Sequence, residues 1–291
     1  MELPRSRTPI HKQSAKFHLK CQEKVGDVGD TESWLTVSKL LAYTNGKVAV
    51  LQGIIDKTKD IVVKFGDIDE ITEEYHAGAK LFEARLPNFI KFFCMFTCND
   101  SFDQVLHQNY SSRPYICKGP DVNTKIACII MPYCNLGSMN SYRWKKHQVN
   151  EFKNVLKQIC FAIYIAYINT GFVHSDLHSG NVLLRHTKKK NITYEDVSLD
   201  IHNKYALIMD FQKPCAYDPV KFVKSLERII YTSCTSDGSD LVFDCELRKI
   251  QQWFLRSNGI WNGVVSKELE DIIDSVSLRY VKSERPVKSF V

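Results

Sequence analysis

The chain has 291 residues, 44% of them hydrophobic and 25% charged, with a formal net charge of +6. That composition is ordinary for a globular protein, and the length suffices for a sizeable core in one large domain or two lobes. No run approaches the roughly 18 apolar residues of a membrane span. No apolar segment marks a secretory signal, and the modest positive charge allows an acidic ligand without indicating nucleic acid. Ten cysteines are scattered singly, Cys94 and Cys98 being the nearest pair. The lack of a Cys-x-x-Cys pair argues against a structural zinc site, and the thiols are expected to be reduced, in a cytoplasmic setting.

Residues 1–30 read as a flexible basic arm carrying Arg5, Arg7, Lys12, Lys16 and Lys20. Three strands are expected next, at 34–42, 47–55 and 61–65, with Asn45-Gly46 marking a hairpin turn. Residues 68–84 read as an acidic helix. The apolar run 89–96 reads as a strand, 99–123 as a polar surface excursion, and 125–131 as another strand. Pro132 to Met139 form a short linker. Arg143, Lys145, Lys146 and His147, around Trp144, form a basic rim. In 149–170, Phe152, Val155, Leu156, Ile159, Ile163 and Ala166 recur every three or four residues, which predicts a long helix stopped at Thr170-Gly171.

The chemistry sits in residues 172–184, Phe-Val-His-Ser-Asp-Leu-His-Ser-Gly-Asn-Val-Leu-Leu. Ser175, Ser179 and Gly180 break any regular element, so His174, Asp176 and Asn181 lie on a loop. A carboxylate can take a proton from a hydroxyl nucleophile. A carboxamide oxygen five residues on can hold a divalent cation. Phosphoryl transfer needs that pairing. Residues 186–203, with Lys188, Lys189, Lys190, Glu195, Asp196 and Asp200, read as a charged surface hairpin. They are followed by Tyr205-Ala-Leu-Ile-Met-Asp-Phe-Gln212. Helices are expected at 219–230, 240–256 and 266–281, with a short tail after them.

His-Ser-Asp-Leu-His-Ser-Gly-Asn resembles the catalytic loop of the protein-kinase-like superfamily, whose pattern is H-R-D-L-x-x-x-N. Ser175 stands in place of the arginine, and His178 in place of the lysine common in protein kinases. The D-L-H-x-G-N form also resembles that of aminoglycoside phosphotransferases. The resemblance covers roughly residues 34–230. The compact, divergent form resembles kinases encoded by large DNA viruses. It implies an α+β, two-lobed fold, with a small antiparallel-sheet lobe (31–131), a hinge (132–138) and a mainly helical large lobe (139–291).

The resemblance also implies roles. Lys64 in Val-Val-Lys corresponds to the lysine that contacts the α- and β-phosphates of ATP. Its glutamate partner is Glu74, with Glu70 and Glu73 as alternatives. Of the glycine-rich loop only Gly46 survives, ahead of Val48, with Leu41 and Tyr43 at the other glycine positions. Met131 takes the gatekeeper position, and the backbone of Pro132 to Cys134 faces the adenine. Asp176 is the catalytic base, and His178 reaches the transferred phosphate. Asn181 and Asp210 hold Mg²⁺. Gln212 replaces the glycine of D-F-G, and no A-P-E triplet follows. The implied activity is ATP- and Mg²⁺-dependent transfer to a Ser or Thr hydroxyl of a protein. The alternatives are transfer to a small hydroxyl compound, or a weakly active or inactive kinase-like binding module.

Overall fold

The computed structural model describes residues 31, 34–44, 48–55, 59–117, 125–211, 241–243, 247–257, 262–275 and 278–280. The expected arm, Gly46, Gln212, the helix at 219–230 and the tail lie outside them. The chain divides into two compact units, one of residues 1–79 and 90–133, the other of 80–89 and 134–291. The α+β class expected from the sequence is found. Among the described residues, no helix is long and apolar enough to cross a membrane.

The first unit is built on a five-stranded antiparallel sheet. Its strands are β1 (Leu35–Thr44), β2 (Val48–Ile55), β3 (Lys59–Gly66), β4 (Cys94–Asn99) and β5 (Lys125–Pro132), in the order β1-β2-β3-β5-β4. Alternation of side chains along each strand sends Leu51, Ile61, Val63, Phe65, Phe96 and Ile130 into one core. β1 crosses close over β2: a Cβ on Gly53 would sit 2.6 Å from the Thr36 carbonyl oxygen, so only glycine fits. Two register shifts, at Val37/Lys39 and Leu40/Ala42, interrupt β1. Helix α1 (Ile68–Glu83) follows β3.

Three expectations for this unit need correction. The strand after Pro87 begins at Cys94, not at Phe89. The excursion after β4 is not merely a polar surface loop. It forms a short helix, α2 (Phe102–His107), and buries Val105, Leu106 and Ile116 against the core of the sheet. The cysteines are not all reduced: Cys98 and Cys117 form a disulfide, and Cys94 is disulfide-bonded too. Free, buried thiols remain at Cys128, Cys134 and Cys160.

The second unit is organised around α3 (Val149–Thr170), whose residues from Phe152 to Ala166 are mostly buried. Gly171 ends the helix in the left-handed conformation, φ 68°, and its N–H returns to the Tyr167 carbonyl. Strands β6 (Val182–His186) and β9 (Lys204–Ile208) pair antiparallel, as do β7 (Asn191–Tyr194) and β8 (Val197–Asp200). The insertion is thus the expected hairpin, but only one face is charged. Ile192, Tyr194 and Leu199 are buried. Trp144, expected within a solvated rim, is buried against Tyr142 and Phe152, and the Lys204 ammonium lies over its ring. Beyond 240 a short strand, β10 (Leu241–Phe243), pairs with β11 (Leu278–Tyr280) around α4 (Leu247–Arg256) and α5 (Gly263–Ser275). The two expected helices are therefore shorter, and each cedes an end to a strand.

Candidate active site

In β3, Ile61, Val63 and Phe65 face the core, so Val62 and Lys64 emerge on the opposite face of the sheet. Lys64 is only 5% exposed. An ammonium this deep requires a paired charge. The partner is Glu74, from the second turn of α1: its carboxylate lies 2.6 Å from the Lys64 Nζ and is equally buried. The other two acidic candidates, Glu70 and Glu73, are exposed. Across the ladder Ile129 faces Lys64 and Met131 faces Val62, so Met131 lies on the same face as Lys64 and is buried. Val48 opens β2 opposite Gly66 and is half-buried. Leu41 and Tyr43 project into solvent.

Pro132 closes β5 opposite Ile61. Cys134 begins the stretch of the second unit and is buried, which pushes its thiol up to about 11. Its carbonyl accepts the Gly137 N–H at 3.0 Å, across a turn in which Gly137 has φ 73°. Residues 136–140 then run beside β6. Leu136 donates to the Leu184 carbonyl, Leu184 to that of Gly137, Met139 to that of Val182 and Asn140 to that of Ser179. The segment after Cys134 is thereby tied to the strand that leaves the loop at 174–181.

That loop is held from both sides. The His174 ring is buried. Its Nε2 lies 2.9 Å from the Met209 carbonyl and its Nδ1 accepts the Asp176 N–H, which sets the proton on Nε2. Burial lowers the His174 pKa, against the opposing pull of Asp210 and Asp176. Phe172 packs edge-on against both Phe89 and Phe211 at this corner. The Asn181 amide nitrogen donates to the Asp176 carbonyl at 3.0 Å and to the Asp210 carboxylate at 3.2 Å. Asn181 in turn accepts the Met209 N–H on its own carbonyl. Asp210 has φ 69°, a left-handed backbone uncommon for a non-glycine residue. Asn181 can therefore turn its carboxamide oxygen, beside the Asp210 carboxylate, to a cation. Two hard oxygen donors suit Mg²⁺.

The Asp176 side chain is 49% exposed. His178 folds back over the loop. Its Nδ1 accepts the Gly180 N–H at 3.0 Å, so its Nε2 carries the proton, 3.7 Å from the Asp176 carboxylate. A Cβ on Gly180 would meet the same ring at 2.7 Å. The structure thus brings Asp176, His178, Asn181 and Asp210 together in one unit, and Lys64 and Glu74 together in the other.

A buried polar cluster that sequence reasoning missed supports this corner. Asn88, at φ 64°, gives its carbonyl to the Ile208 N–H, and its amide nitrogen bonds to Gln158 and to the Ala206 carbonyl. Its side-chain oxygen accepts the Tyr194 hydroxyl from the β7–β8 hairpin. Only the Pro87-Asn88 turn signal and a lone Gln within an apolar helix hint at it in the sequence.

Residues 100–241, a little under half of the chain, match the family model for protein tyrosine and serine/threonine kinases. A probable serine/threonine-protein kinase of Dictyostelium discoideum is 33% identical over 79 residues, which amount to 25% of this chain and 6% of that protein. The matched stretch thus spans only a small part of that relative. With the α+β fold and a loop of this pattern already in place, these matches make the chain similar to the protein-kinase-like superfamily.

Proposed function

We propose that the chain is an ATP- and Mg²⁺-dependent phosphotransferase, and specifically a serine/threonine protein kinase passing the γ-phosphate to a protein hydroxyl. The observation that carries the reading is the Asn181 carboxamide, which links the Asp176 loop to the Asp210 carboxylate. Asp176 orients the accepting hydroxyl and takes its proton. Asn181 and Asp210 hold Mg²⁺, which when bound offsets phosphate charge. Lys64, fixed by Glu74, positions the α- and β-phosphates. Met131, Pro132 and Cys134 flank the adenine, with Gly46 and Val48 near the phosphates. The His178 Nε2–H reaches the transferred phosphate. These groups position reactants and neutralise charge, and phosphoryl transfer asks little more of a protein.

A second reading is transfer to a small hydroxyl compound. It is favoured by His178, which lies beside Asp176 where protein kinases commonly carry a lysine. One experiment separates the readings. Purified protein is given Mg²⁺ and γ-labelled ATP, generic acceptor proteins and a panel of small hydroxyl compounds, beside Asp176→Ala and Lys64→Ala. Label on Ser or Thr, lost in both variants, supports the protein kinase. Label on a small compound alone supports the second reading. Neither transfer nor ATP binding would overturn both and leave a binding module.

A further inference from the structure

Three sulfurs from separate stretches of the first unit converge at the core of its sheet. The Sγ atoms of Cys98, Cys117 and Cys128 all lie within 4.8 Å of one another. The ladder explains two of them. Phe96 faces Cys128 and Cys98 faces Ile126, so Cys98 and Cys128 are diagonal neighbours on one face. Cys117 comes from the far end of the excursion, on a left-handed backbone at φ 69°. It is held there by its neighbour Ile116, which is buried and accepts the Thr31 hydroxyl. Asp100 is fully buried nearby, accepts the Ser101 N–H, and lies 3.9 Å from Arg113.

We propose that, once the Cys98–Cys117 bond is reduced, Cys98, Cys117 and Cys128 form a site for a thiophilic divalent cation such as Zn²⁺. A tetrahedral zinc with bonds of about 2.3 Å sets its thiolates roughly 3.8 Å apart. Once their bond is cut, the Cys98 and Cys117 sulfurs part to van der Waals distance, and with the third already within 4.8 Å of both, side-chain rotations reach that spacing. A water completes the tetrahedron beside Cys117, the least buried of the three.

The chemistry balances with a thiol or phosphine as reductant. Two thiols give up two hydrogens, become a disulfide, and leave two protein thiols. A phosphine and one water do the same and leave as the phosphine oxide. Binding then forms three metal–sulfur bonds and releases three protons. A small-molecule disulfide, itself reduced to two thiols, oxidises the pair back to the Cys98–Cys117 disulfide, which removes two ligands and expels the metal. The disulfide and the metal are therefore alternative clasps holding the excursion to β4 and β5, selected by redox conditions.

The test uses the full chain, reduced with a phosphine, desalted without oxygen and titrated with Co²⁺. The expected result is about one equivalent bound, with thiolate-to-cobalt charge-transfer absorption and tetrahedral d–d bands, displaced by Zn²⁺. The unreduced chain should show none of this. Cys128→Ser and Cys117→Ser should each weaken binding at least ~10-fold, while Cys94→Ser, Cys134→Ser and Cys160→Ser leave it intact. Circular dichroism checks folding, and Cys117→Ser gives the answer if Cys128→Ser does not fold. The proposal is overturned if the reduced, folded chain binds no Co²⁺, or binds it without thiolate absorption. It is equally overturned if the band survives in a folded Cys128→Ser or Cys117→Ser.

Discussion

The Lys64–Glu74 pair gives the sharpest test of how the first unit is held. At 2.6 Å and an effective dielectric of about 20, the two charges attract by roughly 6 kcal/mol before solvation is counted. Both side chains are almost fully buried, so each has lost most of its hydration, and the net value of the pair is far smaller. Removing one partner is different, because the other charge stays buried without this counter-ion, at a cost of about 3–5 kcal/mol. Lys64→Met should therefore lower the melting temperature by roughly 6–20 °C, at about 2–4 °C per kcal/mol for a chain of this class. Lys64→Met with Glu74→Leu removes both charges and should recover most of that loss. Thermal and urea unfolding of the two single variants and the double variant measure the coupling. If the single losses were small and simply added in the double variant, the two charges would not be a buried couple.

Other expectations follow from the second unit. Gly180→Ala should cost about 1–3 kcal/mol of stability and slow phosphotransfer, because the new Cβ meets the His178 ring at 2.7 Å. Gly180→Ala combined with His178→Ala should regain the stability, read by chemical unfolding. Tyr194→Phe leaves the Asn88 side-chain oxygen without its hydroxyl donor and should cost about 1–3 kcal/mol. Because His174 has a lowered pKa, the folded chain binds fewer protons than the unfolded chain between that value and 6.5. Its contribution is thus complete above pH 6.5 and declines as pH falls through that window. His174→Gln should flatten this part of the pH–stability curve, and an unchanged slope would refute the assignment. Asp210, Asp176 and His178 also face this ring.

The elements that the sequence declares are those whose periodicity is set by their own burial. α3 is legible end to end because its apolar residues recur at helical spacing and Gly171 supplies the left-handed stop. β2 alternates half-buried and buried residues along its whole length. Where contacts are made between distant stretches, the sequence is silent. The Cys98–Cys117 bond joins positions 19 residues apart across an excursion whose polarity hides its three buried anchors. In the β7–β8 hairpin the charges draw the eye, yet Ile192 and Tyr194 alternate with exposed residues, as a half-buried strand requires. The apolar run at 89–96 misleads for another reason. Phe89 is buried by a bridge to Ile208, and only from Cys94 do the residues join the sheet.

The departures from the family pattern around Asp176 form one physical arrangement. A histidine at 178 curls back so that its Nδ1 takes the Gly180 N–H, and this brings the ring to where any side chain at 180 would begin. Gly180 is therefore dictated by His178. Asn181 follows in the same turn, its N–H bonded to the His178 carbonyl at 2.9 Å. The ring's placement thus fixes the residue whose carboxamide ties the loop to Asp210. The same bond leaves the ring proton on the nitrogen nearest Asp176, so the loop presents a donor beside the carboxylate. A lysine at 178 could present a positive charge there, but it could not accept the Gly180 N–H. Replacing His178 by Lys would therefore change the backbone turn as well as the charge, and Gly180 and Asn181 must be considered with it.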